Sequence, residues 1–234
     1  MMQTLMFPEM GQDGFGKSGF DFPEPLTERY RPERIAGFAG LAEVKQSLAS
    51  WVSRPRDCGF VFVGPAGTGK TSAALAMAAE SRSFVSHIPA GECSVETVRA
   101  NAYRCNYYPP MGYVRHLILI DEVDLASKAA QNAMLSYLDG TNPVPLTTWI
   151  FTCNSIERLE DRFVSRCRLM RFSTYGIQAE AAALLERIWE SETELRGIGA
   201  DVPRPVFARI IKEQNGNIRA ALQVLEDKLE RMTI

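Results

Sequence analysis

No apolar run in this chain is long enough to cross a bilayer, no two cysteines form a C-x-x-C pair, and no basic stretch leads into an apolar leader. The first absence excludes a helical membrane span, and the last points to a cytoplasmic protein. The five cysteines, Cys58, Cys93, Cys105, Cys153 and Cys167, are odd in number and far apart. That spacing argues against a sequence-local zinc knuckle and suits free thiols in a reducing compartment. Charge of one sign is also scarce: 26 basic and 28 acidic residues leave a net charge of −2. Nucleic acid can therefore be held only by a local basic patch, not by the overall field. Repeats and low-complexity segments are missing beyond residues 1–25, where Gly, Pro, Phe and Met occur without period and are expected to form a mobile tail. What is present is ordinary globular composition, 46% hydrophobic and 23% charged over 234 residues. That suffices for a substantial core, in one large or two small domains.

From Leu26 the pattern becomes that of an α/β domain. Short apolar runs predict strands at Phe60–Val63, Phe84–Ile88, Leu117–Ile120, Trp149–Thr152 and Leu169–Phe172. Helical segments, Ala42–Val52 and Ser127–Asp139 among them, separate most of these runs, which calls for a five-stranded parallel sheet covered on both faces. After Phe172 the strand signal ends. Ile177–Ser191, Arg204–Gln214 and Asn217–Met232 read as helices punctuated by Gly197, Gly199, Pro203 and Gly216. The expected division is a tail at 1–25, a sheet domain at 26–172 and a small all-helical domain at 173–234.

Gly64-Pro65-Ala66-Gly67-Thr68-Gly69-Lys70-Thr71 has the form G-x-x-x-x-G-K-[ST] between a predicted strand and a predicted helix that opens at Ser72. Glycines there let backbone N–H groups curl around a phosphate, and the helix N-terminus adds partial positive charge. Lys70 can reach the β- and γ-phosphates of a nucleotide, and Thr71 offers a hydroxyl to Mg²⁺. Leu117-Ile118-Leu119-Ile120-Asp121-Glu122 is the complementary half. A buried parallel strand delivers its terminal acids to the carboxyl edge of the sheet, beside the phosphate loop. Asp121 suits Mg²⁺, Glu122 suits activation of the attacking water, and Asp124 adds a further carboxylate. Asn154, after the fourth strand, can hydrogen-bond the γ-phosphate or serve as an Asx-turn residue.

These motifs resemble those of the AAA+ ATPases, and within them the small subunits of sliding-clamp loaders of the replication factor C and phage type. Glu28-Arg29-Tyr30-Arg31-Pro32 looks like the tyrosine-arginine-proline lead-in that borders the adenine pocket, and Ser165-Arg166-Cys167-Arg168 is similar to the serine-arginine-cysteine signature of clamp-loader subunits. Asn154 falls at the first sensor, and Gly216-Asn217-Ile218-Arg219 resembles the second sensor on a lid helix. The resemblance runs from about Leu26 to Leu229. It implies an ATPase that uses ATP and Mg²⁺, with Lys70, Thr71, Asp121 and Glu122 from one subunit completed by Arg166 from the next. It also implies an oligomer of like subunits that opens a sliding clamp and closes around primer-template DNA. Taken without the resemblance, Arg166 has the alternative of a surface ion pair, and Arg219 reads better as a solvated charge on a helix face.

Two departures qualify what the resemblance implies. The family places an asparagine after the second strand to restrain the catalytic glutamate, whereas His87-Ile88-Pro89-Ala90-Gly91-Glu92 has none. The sequence also ends at Ile234, where clamp-loader subunits continue into a helical collar, so assembly is expected to rely on the ATPase domains, DNA or partner subunits. Helicase loading or remodelling of recombination intermediates would use the same core. A regulatory module that binds nucleotide without turning it over is a third reading, against which the intact Glu122 stands. Arg99, Arg104 and Lys128 are candidate DNA contacts. Gln3-Thr4-Leu5-Met6-Phe7 resembles the short peptides by which bacterial replication proteins dock on a clamp, or is a terminus that binds nothing.

Overall fold

The computed structural model describes residues 24–198 and 202–233, so the Gln3–Phe7 peptide lies outside the described residues. In chain order the helices and strands are α1 (Leu26–Arg29), α2 (Ala42–Ser53), β1 (Cys58–Val63), α3 (Lys70–Glu80), β2 (Ser83–Ile88), α4 (Val95–Arg104) and β3 (Arg115–Ile120). There follow α5 (Lys128–Leu138), β4 (Thr147–Cys153), α6 (Asp161–Val164), β5 (Cys167–Arg171), α7 (Gln178–Arg196), α8 (Pro205–Glu213) and α9 (Ile218–Thr233). The strands form one parallel sheet in the order β2-β3-β4-β1-β5. All five predicted strands are present, each shifted by no more than a few residues at its ends.

The continuous apolar runs follow from burial on both faces. Successive side chains alternate sides, so Phe60 and Phe62 join Leu117, Leu119 and Ile150 under α2 and α3. Val61 and Val63 turn the other way, to meet Ile118, Ile120 and Phe151 under α4 and α5. Ser127 caps α5 as its spacing suggests, its hydroxyl accepting a hydrogen bond from Ala130 N at 3.2 Å. Among the described residues no helix is long and apolar enough to cross a membrane.

A third apolar cluster joins α7, α8 and α9 through Leu185, Trp189, Phe207, Ile211, Leu225 and Leu229. Leu26 of α1 is fully buried in it, and Leu26 N donates to Glu226 Oε1 at 3.0 Å. The segment placed by sequence order with the sheet domain thus packs on the C-terminal helices. The same junction explains why α7 continues five residues past its predicted end at Ser191. The segment from Glu192 to Arg196 carries no apolar period, yet Glu192 is only 1% exposed. Its carboxylate accepts from Arg29 Nη1 at 2.7 Å, Tyr30 Oη at 2.9 Å and Arg196 Nη2 at 3.3 Å. The helix stops at Gly197, whose φ of 64° permits the left-handed turn.

Burial alone would raise the Glu192 carboxyl. The hydrogen bonds from Tyr30 and Arg29, with the charges of Arg29 and Arg196, outweigh it and hold the group below the usual glutamate range. A depressed folded value means that the unfolded chain binds the extra proton. This contribution to stability is therefore full above the unfolded value of about 4.3 and is lost as pH falls through the folded value. Glu192→Ala is expected to cost about 1–3 kcal/mol at neutral pH, because it strands partly buried donors. Thermal melts of both proteins at neutral and acid pH check this. The gap between them should narrow at acid pH, and an unchanged gap contradicts the assignment.

Candidate nucleotide-binding site

The phosphate loop leaves β1 at Gly64 and enters α3 at Lys70. Two of its glycines are required by close approach. A Cβ at Gly64 would lie 2.1 Å from Phe172 O, and one at Gly67, where φ is 74°, would lie 1.9 Å from Asn217 Oδ1. The second collision shows how near the start of α9 comes to the loop, since Asn217 Oδ1 also accepts from Ala220 N at 3.0 Å. Lys70 is largely buried, and its ammonium donates to Gly64 O at 2.6 Å, Pro65 O at 2.9 Å and Asn154 Oδ1 at 3.1 Å. Burial, helped by the charge of Arg219, lowers the Lys70 pKa, while Asp124 and Asp121 oppose the shift. The loop lysine is thus folded back onto its own carbonyls and onto Asn154 at the end of β4.

β3 ends beside this loop because its neighbours β2 and β4 run parallel to it and in register. Asp121 Oδ1 accepts from Thr71 Oγ1 at 3.0 Å and Thr152 Oγ1 at 2.8 Å. His87 Nε2 stands 2.7 Å from Asp121 Oδ2; a carboxylate can only accept, so the ring nitrogen carries the hydrogen. Glu122 is exposed, with left-handed backbone angles (φ 51°, ψ 47°), and its N–H donates to Thr152 Oγ1 at 3.1 Å. Asp124 Oδ1 is buried without a hydrogen-bond partner among the described residues.

These elements enclose a cavity of about 300 Å³. Its walls include Ala66, Gly67, Gly69, Lys70, Thr71 and Ser72 of the loop, and Asp121, Glu122, Asn154 and Arg219 opposite. A smaller cavity of about 80 Å³ lies beside it. There Tyr30, Arg31 and Pro32 meet Thr68 of the loop, and Leu184, Ile218 and Leu222 of the C-terminal helices supply an apolar wall. The lead-in, the loop, the acid pair and both sensor positions, read separately along the sequence, are therefore neighbours. Arg166 is not. It follows α6, where Nη1 donates to Arg162 O at 2.6 Å and Nε lies 3.6 Å from Asp139 Oδ2.

Sequence reasoning missed His87 and Thr152 as members of the site, and both line the larger cavity. Thr152 stands two residues before Asn154, on the same side of the strand by period 2, a signal that was there to be used. His87 needs the register of β2 against β3, which sets it opposite Leu119, two residues before Asp121.

The donor set suits Mg²⁺. Among the described residues no group of three or more His, Cys, Asp or Glu could hold a metal ion. Mg²⁺ needs no such cage, since one carboxylate and a hydroxyl can share it with water and substrate phosphates. Thr71 and Asp121 offer that pair of hard oxygens, already in contact.

A parallel α/β sheet with this loop and these acids at its carboxyl edge defines a phosphate-loop nucleotide-binding protein. Residues 60–175 match the model of the ATPase family associated with various cellular activities (AAA), and the chain carries an AAA ATPase domain. It is similar to the replication factor C small subunit of Halobacterium salinarum, 28% identical over 209 residues that make up 87% of this chain and 62% of that one. The corresponding protein of Methanothermobacter thermautotrophicus is 30% identical over 154 residues, 63% of this chain and 47% of its own. The chain thus spans less than two thirds of the length of these curated relatives. In fold it resembles the Thermotoga maritima RuvB Holliday junction branch migration motor, with a TM-score of 0.68 and 19% identity over 84% of this chain and 64% of that one.

Proposed function

We propose that this chain is an ATP-hydrolysing subunit of clamp-loader type, acting in an oligomer that loads a sliding clamp on primer-template DNA in the cytoplasm. The observation that carries the reading is the contact of Thr71 with Asp121, 3.0 Å apart, which joins the phosphate loop to the acid pair inside a cavity that also holds Glu122, Asn154 and Arg219. The similarity to replication factor C small subunits supports clamp loading in particular. The helices of residues 173–234 act as a lid, and α9 brings Arg219 to the nucleotide.

In this mechanism the base of ATP enters the smaller cavity against Tyr30, Arg31 and Pro32. The triphosphate lies along the loop, where Gly64, Pro65, Ala66, Gly67, Thr68, Gly69 and Ser72 shape the turn and backbone N–H groups meet the phosphate oxygens. Lys70 exchanges its three acceptors for β- and γ-phosphate oxygens, which frees Asn154 for the γ-phosphate or the attacking water. Thr71 and Asp121 would hold Mg²⁺, which neutralises charge developing on the phosphates. Glu122 takes the proton of the attacking water. Arg166, directed away from its own cavity, serves the nucleotide of a neighbouring subunit. Arg219 reports the γ-phosphate to the lid.

Lys70→Ala is expected to weaken ATP binding by about 10²-fold or more, the loss of at least two charge-assisted hydrogen bonds worth about 1.5–3 kcal/mol each. Titration with a fluorescent ATP analogue measures this, and an unchanged affinity removes Lys70 from the site. Clamp loading itself is tested by steady-state hydrolysis with and without a sliding clamp and primed DNA. Stimulation by both together supports the reading. Stimulation by branched DNA alone favours remodelling of recombination intermediates, the reading that uses the same core. Arg99, Arg104 and Lys128 are candidate phosphate contacts in either case, and binding through them weakens steeply with salt.

A further inference from the structure

Glu122 stands in an unfavourable backbone conformation, and one side chain accepts a hydrogen bond from its N–H. It is not glycine, yet its φ of 51° and ψ of 47° are left-handed, a region that L-residues keep only where the surroundings impose it. The Glu122 carbonyl accepts from Leu125 N at 2.9 Å, and the side chain that meets its N–H is Thr152. Its one hydroxyl has one hydrogen to give, and Asp121 Oδ1, at 2.8 Å, can only accept it. A lone pair remains, and the Glu122 N–H, at 3.1 Å, donates to it. The direction of both hydrogen bonds is therefore fixed. A single oxygen aims the Asp121 carboxylate and pins the peptide that precedes the Glu122 side chain.

The threonine is well placed to act as a fixed reference. It is 2% exposed, so water has little access to replace its hydroxyl. β4 is an inner strand, paired with β1 through Phe62↔Thr152 and with β3 through Ile120↔Phe151. Asp121 and Glu122 follow β3 directly, where the chain leaves the sheet. The same strand end carries Asn154, which holds Lys70.

We propose that Thr152 is a positioning residue for hydrolysis, its hydroxyl setting the backbone of Glu122 and the carboxylate of Asp121 for attack on the γ-phosphate. This rests on the reading of Glu122 as the group that activates water. Loss of the hydroxyl then lowers the chemical step and leaves ATP binding nearly untouched, because the described hydrogen bonds of that hydroxyl run to Asp121 and Glu122 and not to the phosphate loop. Supporting hydrogen bonds of this kind are typically worth about 10–100-fold.

The test compares Thr152→Val, which keeps the shape and removes the hydroxyl, with Thr152→Ser, which keeps the hydroxyl. Thr152→Val is expected to lower kcat about 10–100-fold, with KM and the affinity for a fluorescent ATP analogue, measured with and without Mg²⁺, within about threefold of the parent. Thr152→Ser should retain most of kcat. In a Glu122→Gln background, Thr152→Val should cost less than it does in the parent, because part of its effect runs through Glu122. Thermal melts establish that each variant is folded, and Thr152→Ala replaces Thr152→Val should the latter fail to fold. A parental kcat in Thr152→Val, a folded Thr152→Ser as slow as Thr152→Val, or losses that multiply with Glu122→Gln overturns the proposal. Should the parent hydrolyse ATP and Glu122→Gln not, those same results refute the role of Thr152 alone. A parent without hydrolysis refutes the ATPase reading and this proposal with it.

Discussion

Replacing Glu122 by glutamine is expected to leave ATP bound and to lower single-turnover hydrolysis by about 10²–10⁴-fold, the usual worth of a positioned general base. The geometry supports that separation of binding from chemistry. Glu122 is exposed on the wall of the larger cavity, and its only described hydrogen bond to another side chain is made by its backbone N–H. Glutamine keeps the shape and that backbone bond but cannot take the water's proton. Asp121, by contrast, is bound to Thr71, Thr152 and His87, so changing it disturbs the whole edge of the sheet. Nucleotide titration together with single-turnover hydrolysis checks the prediction. A Glu122→Gln protein that hydrolyses at the parental rate would remove the glutamate from the mechanism.

Arg166→Ala carries the other large effect, a fall of about 10³–10⁵-fold in turnover of the assembled complex with ATP binding by each subunit preserved. Arg166 does not reach the nucleotide cavity of its own chain. It lies on the surface after α6, with a hydrogen bond to Arg162 O and an ion pair with Asp139 as its partners. An exposed pair of that kind is worth under about 1 kcal/mol, so in the proposed oligomer a γ-phosphate on a neighbouring subunit would readily displace it. Mixing Arg166→Ala subunits with Glu122→Gln subunits should restore part of the activity, provided that one interface can hydrolyse without the others. Interfaces then form that pair an intact glutamate with an intact arginine. An assembled Arg166→Ala complex with parental turnover would show that no neighbour depends on this residue.

The phosphate loop was legible because its chemistry is local. Glycine spacing, one lysine and one hydroxyl within eight residues suffice to wrap a phosphate, whatever fold surrounds them. The strands were legible for a related reason. A parallel strand covered on both faces must be apolar at every position, so Phe60–Val63 and Leu117–Ile120 stand out without any knowledge of their neighbours. The end of α7 was not legible, because Glu192 is buried by partners on another segment, and a buried glutamate looks like a surface one in the sequence. In the sequence Thr152 is the last residue of an apolar run, and His87 stands in a stretch without asparagine. Their roles depend on strand register, which links residues about 30 positions apart in the chain.

The sequence by itself determined the α/β class of the sheet and pointed to the kind of ligand and the two halves of its candidate site, since each rests on residues adjacent in the chain or on a short period. The tertiary structure decided which separate motifs share a cavity. It carried Tyr30 and Leu26 onto the C-terminal helices, the start of α9 onto Gly67, and Arg166 away from the candidate site of its own chain. It also placed one threonine hydroxyl between the Asp121 carboxylate and the Glu122 N–H. These arrangements follow from sheet order and helix packing, which are set by the sum of many apolar contacts across the chain and not by any segment alone.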